Sequence, residues 1–215
     1  MEGDHEMSAL ATEGWLIAHP PPEGVPWFPS GHASGYAVDD WLKLPESGER
    51  IELIDGSFVV SPMASGVHAL CAGRLRAILA AAAHRAGSGL EAVETINVTT
   101  GESGLIPDIA VLPGALLMSG LAVFPASEIA AVVEVVSPGP GNRVRDYEIK
   151  PVKYAAGGIP VFVRVDIDGP DIPCVEVLEL GPDGYETVTQ AKPGETVTLS
   201  EPFPVSFDPA DLLYS

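Results

Sequence analysis

One stretch constrains this chain more than any other: Ala130-Ala-Val-Val-Glu-Val-Val-Ser-Pro138. It is a run of small and β-branched apolar residues with a single carboxylate, Glu134, in its middle. Such a run reads as a strand buried on both faces. A carboxylate there costs several kcal/mol unless it is paired or holds a metal, so Glu134 needs a partner. Upstream, Leu105-Ile-Pro-Asp-Ile-Ala-Val-Leu112 is a second strand-like run with a lone acid, Asp108. Downstream, Lys150 falls on an expected helix. Two acids and a lysine are the parts of a metal-dependent phosphodiester hydrolase.

The rest of the chain is built around that pair of strands. Residues 1–35 are rich in Pro, Gly and His and read as an extended or disordered arm, leaving 36–215 as one domain. Tyr36 to Leu44 is a short helix stopped by Pro45. Arg50 to Ser61 gives two alternating strands around Asp55-Gly56, a type I′ hairpin turn, with Glu52 on the first. Ser65 can cap a helix over Val67–Ala86, where Cys71, Leu75, Ile78, Leu79 and Ala82 recur at helical spacing. Gly87-Ser-Gly89 ends it.

Glu91 to Thr100 alternates like one strand. The Asp108 strand follows, then a loop to about Ser127, then the Glu134 strand. Ser137 to Gly141 reads as a loop. Val144 to Ala156 is helical, with Pro151 expected to distort its middle. Asp146, Lys150 and Tyr154 recur every four residues and so share one face of that helix. Ile159 to Val165 is a strand. Cys174–Leu180, Tyr185–Gln190 and Thr196–Leu199 form an antiparallel meander, turned at Pro182-Asp-Gly184 and Pro193-Gly194. Asp208 to Leu213 is a final helical turn.

Composition sets limits. Apolar residues make up 46% and charged residues 19% of 215, which suits a globular chain. The net charge of −19 argues against tight nucleic-acid binding, because phosphate contact requires local cations. Cys71 and Cys174 lack metal-ligand spacing and read as buried reduced thiols of a cytoplasmic protein. The acidic start has no secretory h-region. No apolar run is expected to approach a membrane span.

Glu52-Leu-Ile-Asp-Gly56, His68 at a helix start, Pro107-Asp108, Glu134-Val-Val-Ser-Pro138, then Asp146, Lys150, Tyr154 and Gly158-Ile159-Pro160 occur in one order and spacing. In this the chain resembles the Uma2 family of restriction-endonuclease-like proteins, part of the PD-(D/E)XK nuclease superfamily, from about Tyr36 to the C-terminus. The resemblance implies an α/β (α+β) fold: a restriction-endonuclease-like mixed central sheet flanked by helices, here with the antiparallel C-terminal meander. It implies Mg²⁺ held by Asp108 and Glu134, with Lys150 beside the attacking water. The superfamily's usual lysine lies two residues after the acid, where this chain has Val136. In the Uma2 pattern it moves to the next helix, as Lys150 does. Val161-Phe162-Val163 replaces the family's aromatic pair, a change of packing.

Mg²⁺ takes one or two carboxylates and keeps waters for its other positions. Asp108 and Glu134 would supply them, with the Val135 carbonyl as a third oxygen and Mn²⁺ as the alternative ion. The bland alternative is that each acid marks a strand end or pairs with an arginine. Lys150 would orient water or offset transition-state charge; against that stands a solvated helix lysine, with Lys153 a decoy. Asp146 could simply pair with Lys150, and Tyr154 reads as a packing residue. Glu52 would hold a metal-bound water or be one exposed acid on a hairpin. His68 would touch a phosphate or the leaving group, or be structural.

The expected function is Mg²⁺-dependent DNA endonuclease, acting as a homodimer away from membranes on weakly and salt-sensitively bound DNA. Its rival, favoured by the charge, is a catalytically silent interaction or regulatory domain. The nuclease reading needs Arg50, Arg74, Arg76, Arg143, Arg145 and Lys150 gathered around the site.

Overall fold

The structure, a computed structural model, describes residues 35–44, 49–61 and 63–214. The extended or disordered arm expected over 1–35 lies, but for Gly35, outside them. The described residues form two compact units, one holding 35–63 with 102–105 and the other 64–101 with 106–214.

In the first unit, β1 (Arg50–Ile54) and β2 (Ser57–Ser61) pair antiparallel with Ile54 opposite Ser57. Asp55 and Gly56 both take positive φ, 48° and 74°, as a type I′ turn requires. Strand β5 (Ser103–Leu105) joins the other edge of β1 through Leu53 and Gly104. A short helix α1 (Val38–Trp41) lays Trp41 over them; its indole N–H donates to the Ile51 carbonyl at 2.7 Å. Gly104 passes directly beneath the indole ring, where any Cβ would collide.

The second unit is organised by a six-stranded sheet. Its strands are β3 (Leu90–Glu94), β6 (Ile109–Pro113), β8 (Ala131–Val136), β9 (Val161–Asp166), β10 (Cys174–Gly181) and β11 (Gly184–Ala191), in the spatial order β11-β10-β9-β8-β6-β3. Only β8 and β9 run parallel within it; the other pairs are antiparallel. Every residue of β8 and β9 is buried, as their unbroken apolar runs demand.

Alternation divides the two faces. Ile109, Val111, Val133, Val135, Val163 and Val165 meet α2 (Gly66–Ala86) through Cys71, Leu75, Leu79, Ala82 and Ala83. The cap on α2 is as its sequence suggests: Ser65 accepts from the His68 N–H at 3.2 Å, and Gly87 closes the far end in the left-handed region. The same helix corrects the statement that no apolar run approaches a span. Its 21 residues are long and apolar enough to cross a membrane by length and composition, because so many are alanine; here its apolar side packs on the sheet.

The opposite face carries Glu134, Phe162 and Arg164 and meets α5 (Lys150–Ala156), where Tyr154 lies tilted on Phe162 at 5.9 Å.

Several elements differ from expectation. Glu91 to Thr100 is two strands: Thr95 takes φ 52°, ending β3, and β4 (Asn97–Thr100) pairs in parallel with β7 (Val123–Pro125). The supposed loop to Ser127 also holds α3 (Gly114–Leu117) and one 3₁₀ turn, Ala126–Glu128. A helix, α4 (Pro140–Val144), starts inside the supposed loop after β8, since proline suits a first helical position. The third meander strand, β12 (Val197–Leu199), pairs with β13 (Val205–Phe207). Cys174 is only half-buried.

Candidate active site

Glu134 projects from the middle of the parallel pair. Its Oε1 accepts from Lys150 Nζ at 2.8 Å and from the Tyr154 hydroxyl at 2.5 Å. The Glu134 and Lys150 side chains are each 1% exposed, so the charge compensation inferred from sequence is met inside the unit. Lys150 enters the interior, while Lys153, one turn on, is half-buried. Tyr154 packs and is hydrogen-bonded, as a buried tyrosine should be.

The route of Lys150 into the interior is unlike the α-helical one. Between α4 and α5 the chain makes a π-turn, Arg145–Ile149, and the Lys150 N–H bonds the Arg145 carbonyl five residues back. Pro151 supplies a reason. It has no N–H for the Tyr147 carbonyl, and its ring would strike that carbonyl in an α-helix. Adding a residue to the turn removes the clash, and such turns recur at functional sites. The i, i+4 facing of Asp146 and Lys150 is thereby broken. Asp146 is buried against the Arg145 guanidinium, 2.5 and 2.9 Å away, not paired with Lys150.

Asp108 stands at the mouth of β6, one step beyond the Ile109–Val133 pair; its own N–H bonds the Val133 carbonyl. Its Oδ2 accepts from the Val135 N–H at 2.7 Å and lies 3.1 Å from His68 Nε2. His68 is held by the first turn of α2 and is only 8% exposed. The two acids thus address the same stretch of β8, Glu134 by belonging to it and Asp108 by capping the next amide. Asp108 also helps burial push the Cys71 thiol up to about 12.

Glu52 is fully buried on β1. That corrects its alternative as an exposed hairpin acid.

Four of the arginines expected to serve the site have other partners. Arg74 turns to the Asp211 and Tyr214 carbonyls. Arg76 pairs with Glu94, Arg143 with Asp166, and Arg145 with Asp146. A neighbouring group went unnoticed in the sequence: Arg164, opposite Glu134 in the β8–β9 register, grips Glu176 on β10 and stacks on Tyr147. The lone arginine in the apolar run of β9 was its signal.

As a metal centre, the donors fit Mg²⁺ in kind. Asp108 and Glu134 are oxygen-only ligands, of the number Mg²⁺ takes when it keeps its waters. Among the described residues no three His, Cys, Asp or Glu side chains gather as a metal cage, the arrangement a structural zinc would need.

Comparison with known proteins gives a family and a fold. A family model described as "Uma2: Putative restriction endonuclease" matches residues 38–212. The chain is similar in fold to a solved structure from Anabaena variabilis, titled a putative nuclease belonging to DUF820. The TM-score is 0.64 and the identity 21%, over 82% of this chain and 97% of that one. No curated protein matches.

Proposed function

The chain belongs to the Uma2 family, and from that premise we propose that it is a Mg²⁺-dependent endonuclease hydrolysing DNA phosphodiester bonds. One observation carries the reading. A buried acid and lysine, Glu134 and Lys150, meet on the strand whose next amide is bound by a second acid, Asp108.

In this reading Asp108 and Glu134 would hold the ion, with the Val135 carbonyl as a third oxygen. When bound, Mg²⁺ would polarise the phosphoryl group and ease deprotonation of water. Lys150 offsets the charge that builds on the phosphoryl oxygens and orients the attacking water. His68, through its bond to Asp108, fixes the direction of that carboxylate. Water oxygen bonds to phosphorus and gives up a proton, the P–O ester bond breaks, and the leaving oxygen takes a proton from solvent, so that the protons balance. Glu52 is assigned to the reaction on its burial and its place in the family pattern, and Glu52→Gln tests it. The protein would act as a cytoplasmic homodimer free of membranes; a monomer in sedimentation at micromolar concentration refutes the dimer.

A second reading has its own support. The net charge is −19, and Arg76, Arg143, Arg145 and Arg164 are all engaged by carboxylates. These features suit a silent interaction or regulatory domain. Incubating the pure protein with plasmid, single-stranded DNA and RNA, in Mg²⁺, Mn²⁺ or chelator, separates the two. Metal-dependent cutting that disappears in Asp108→Ala supports the nuclease. No cutting with any metal, or cutting that survives the substitution, removes it.

A further inference from the structure

Tyr147 lies in the middle of the π-turn, three residues before Lys150. The Arg164 guanidinium carbon sits 3.8 Å from its ring centroid and that of Arg143 4.7 Å. Its hydroxyl donates to Asp166 Oδ2 at 2.7 Å, and that oxygen also accepts from Arg143 at 2.7 Å. Asp166 is anchored in turn by the Asp168 N–H on its other oxygen, and Arg164 by two bonds to Glu176. Tyr147 is therefore held from β9 and α4, with Glu176 on β10 bracing Arg164, and Arg164 is the register partner of Glu134 itself.

We propose that Tyr147, gripped by Arg143, Arg164 and Asp166, is a positioning residue that holds the π register and thereby delivers Lys150 to Glu134. The inference rests on the assignment of Lys150 to the reaction. The same sequence has two registers open to it. In an unbroken α-helix Asp146 and Lys150 would sit four apart and pair. With the extra residue Asp146 is left to Arg145 and Lys150 reaches Glu134. Pro151 makes the α register poor at Tyr147 without choosing where the chain goes instead. Tyr147 supplies that choice, because its ring and hydroxyl tie the middle of the turn to β9, the strand next to Glu134. Cation–π contact and a hydroxyl bond to a carboxylate are both directional, so they fix rotation about the helix axis as well as distance.

The test reads the position of Lys150 without metal or substrate. Reductive methylation with mass spectrometry measures the labelling rate of each lysine. In the native protein Lys150 is protected, and Lys192, half-exposed and outside the helix, is the internal standard. Tyr147→Leu, which removes ring and hydroxyl, is expected to raise the Lys150 rate by about tenfold relative to Lys192. Tyr147→Phe, which keeps the ring between its guanidinium partners, is expected to restore most of the protection. Tyr185→Phe is the control: it deletes another tyrosine hydroxyl, bonded to the Ile159 carbonyl, and should leave Lys150 protected. A folded Tyr147→Leu that still protects Lys150 overturns the proposal, as does equal deprotection by Tyr185→Phe. Should Tyr147→Leu not fold by circular dichroism, Arg143→Leu, which removes one guanidinium from the ring and one donor from Asp166, is set against Tyr185→Phe: deprotection by Arg143→Leu alone supports the clamp, and no difference between those two overturns it. The outcome stands apart from nuclease activity, since an inert wild type with an exposed Lys150 in Tyr147→Leu would sink the nuclease and keep the clamp.

Discussion

Replacing Lys150 by Met tests the interior ion pair at its strongest point. The substitution keeps much of the side chain's length and removes its charge. Glu134 and Lys150 are both almost wholly excluded from water, so the loss cannot be absorbed by solvent as at a surface pair. Glu134 would keep its bond from Tyr154 and lose the ammonium that lies 2.8 Å from it. Breaking a buried pair from one side costs about 3–5 kcal/mol. For a chain of this length each kcal/mol moves the melting temperature by about 2–4 °C, so a drop of about 6–20 °C is expected in chelator. The double variant Lys150→Met/Glu134→Gln should recover most of that, because both charges leave together. Mg²⁺ should raise the melting temperature of Lys150→Met more than that of the wild type, since the ion supplies the missing positive charge. Thermal melts of the three proteins, with and without Mg²⁺, measure all of this. A single-variant cost under about 1 kcal/mol, the range of an exposed pair, would refute the reasoning. So would a double variant as unstable as the sum of the singles.

Other outcomes follow from the same geometry. Asp108→Ala should abolish metal-dependent cleavage and also cost about 1–3 kcal/mol, because the Val135 amide loses its acceptor; Asp108→Asn should match it in activity and lose less stability. Cys71 should resist iodoacetamide in the native protein while half-buried Cys174 reacts, as peptide mapping would record. Because the Cys71 thiol is pushed from 9.0 to about 12, the folded state keeps its proton after the unfolded chain has lost it. The stability this contributes is whole below pH 9 and falls as pH rises from 9 toward 12, by at most about 1.4 kcal/mol per pH unit; Cys71→Ala should flatten that loss in denaturant titrations. DNA binding, followed by fluorescence anisotropy, should be weak in Mg²⁺ and drop below detection at modest added salt because it starts weak, while log K falls against log salt on a shallow slope since few phosphates are neutralised. A slope as steep as that of a protein with many phosphate contacts would contradict the pairing of the arginines with acids.

What could be read from the sequence was whatever local chemistry decides. Asp55-Gly56 named its turn, since few residue pairs accept two positive φ angles. Ser65 and Gly87 bracket α2 because caps are short-range devices. Glu134 announced itself by being alone among apolar neighbours. The failures share a cause as well. Glu91 to Thr100 alternates throughout, and alternation gives the face of each residue but not the sheet it joins, so the break at Thr95 was invisible. Strands of three residues such as β7 and β13 are too short to show any period. Helical facing assumes one period along the whole helix, which Pro151 denied to Asp146 and Lys150.

The charges carry the deepest lesson of this kind. Eleven cations against thirty acids suggested that a nuclease would have to gather its cations at the site. Folding does something else with them. Arg164 leaves its strand for Glu176 and Tyr147, Arg143 for Asp166, and Arg145 for its own neighbour. Each pairing removes a charge that could have met a phosphate and spends it on fixing the turn before Lys150. The cation brought furthest inward is then Lys150, and it is aimed at a carboxylate. A divalent ion at Glu134 and Asp108 would compete with Lys150 for that carboxylate and leave its ammonium for the phosphate. On this view metal binding and substrate binding are coupled through one lysine, and an acidic surface need not forbid an acidic substrate once the ion has arrived.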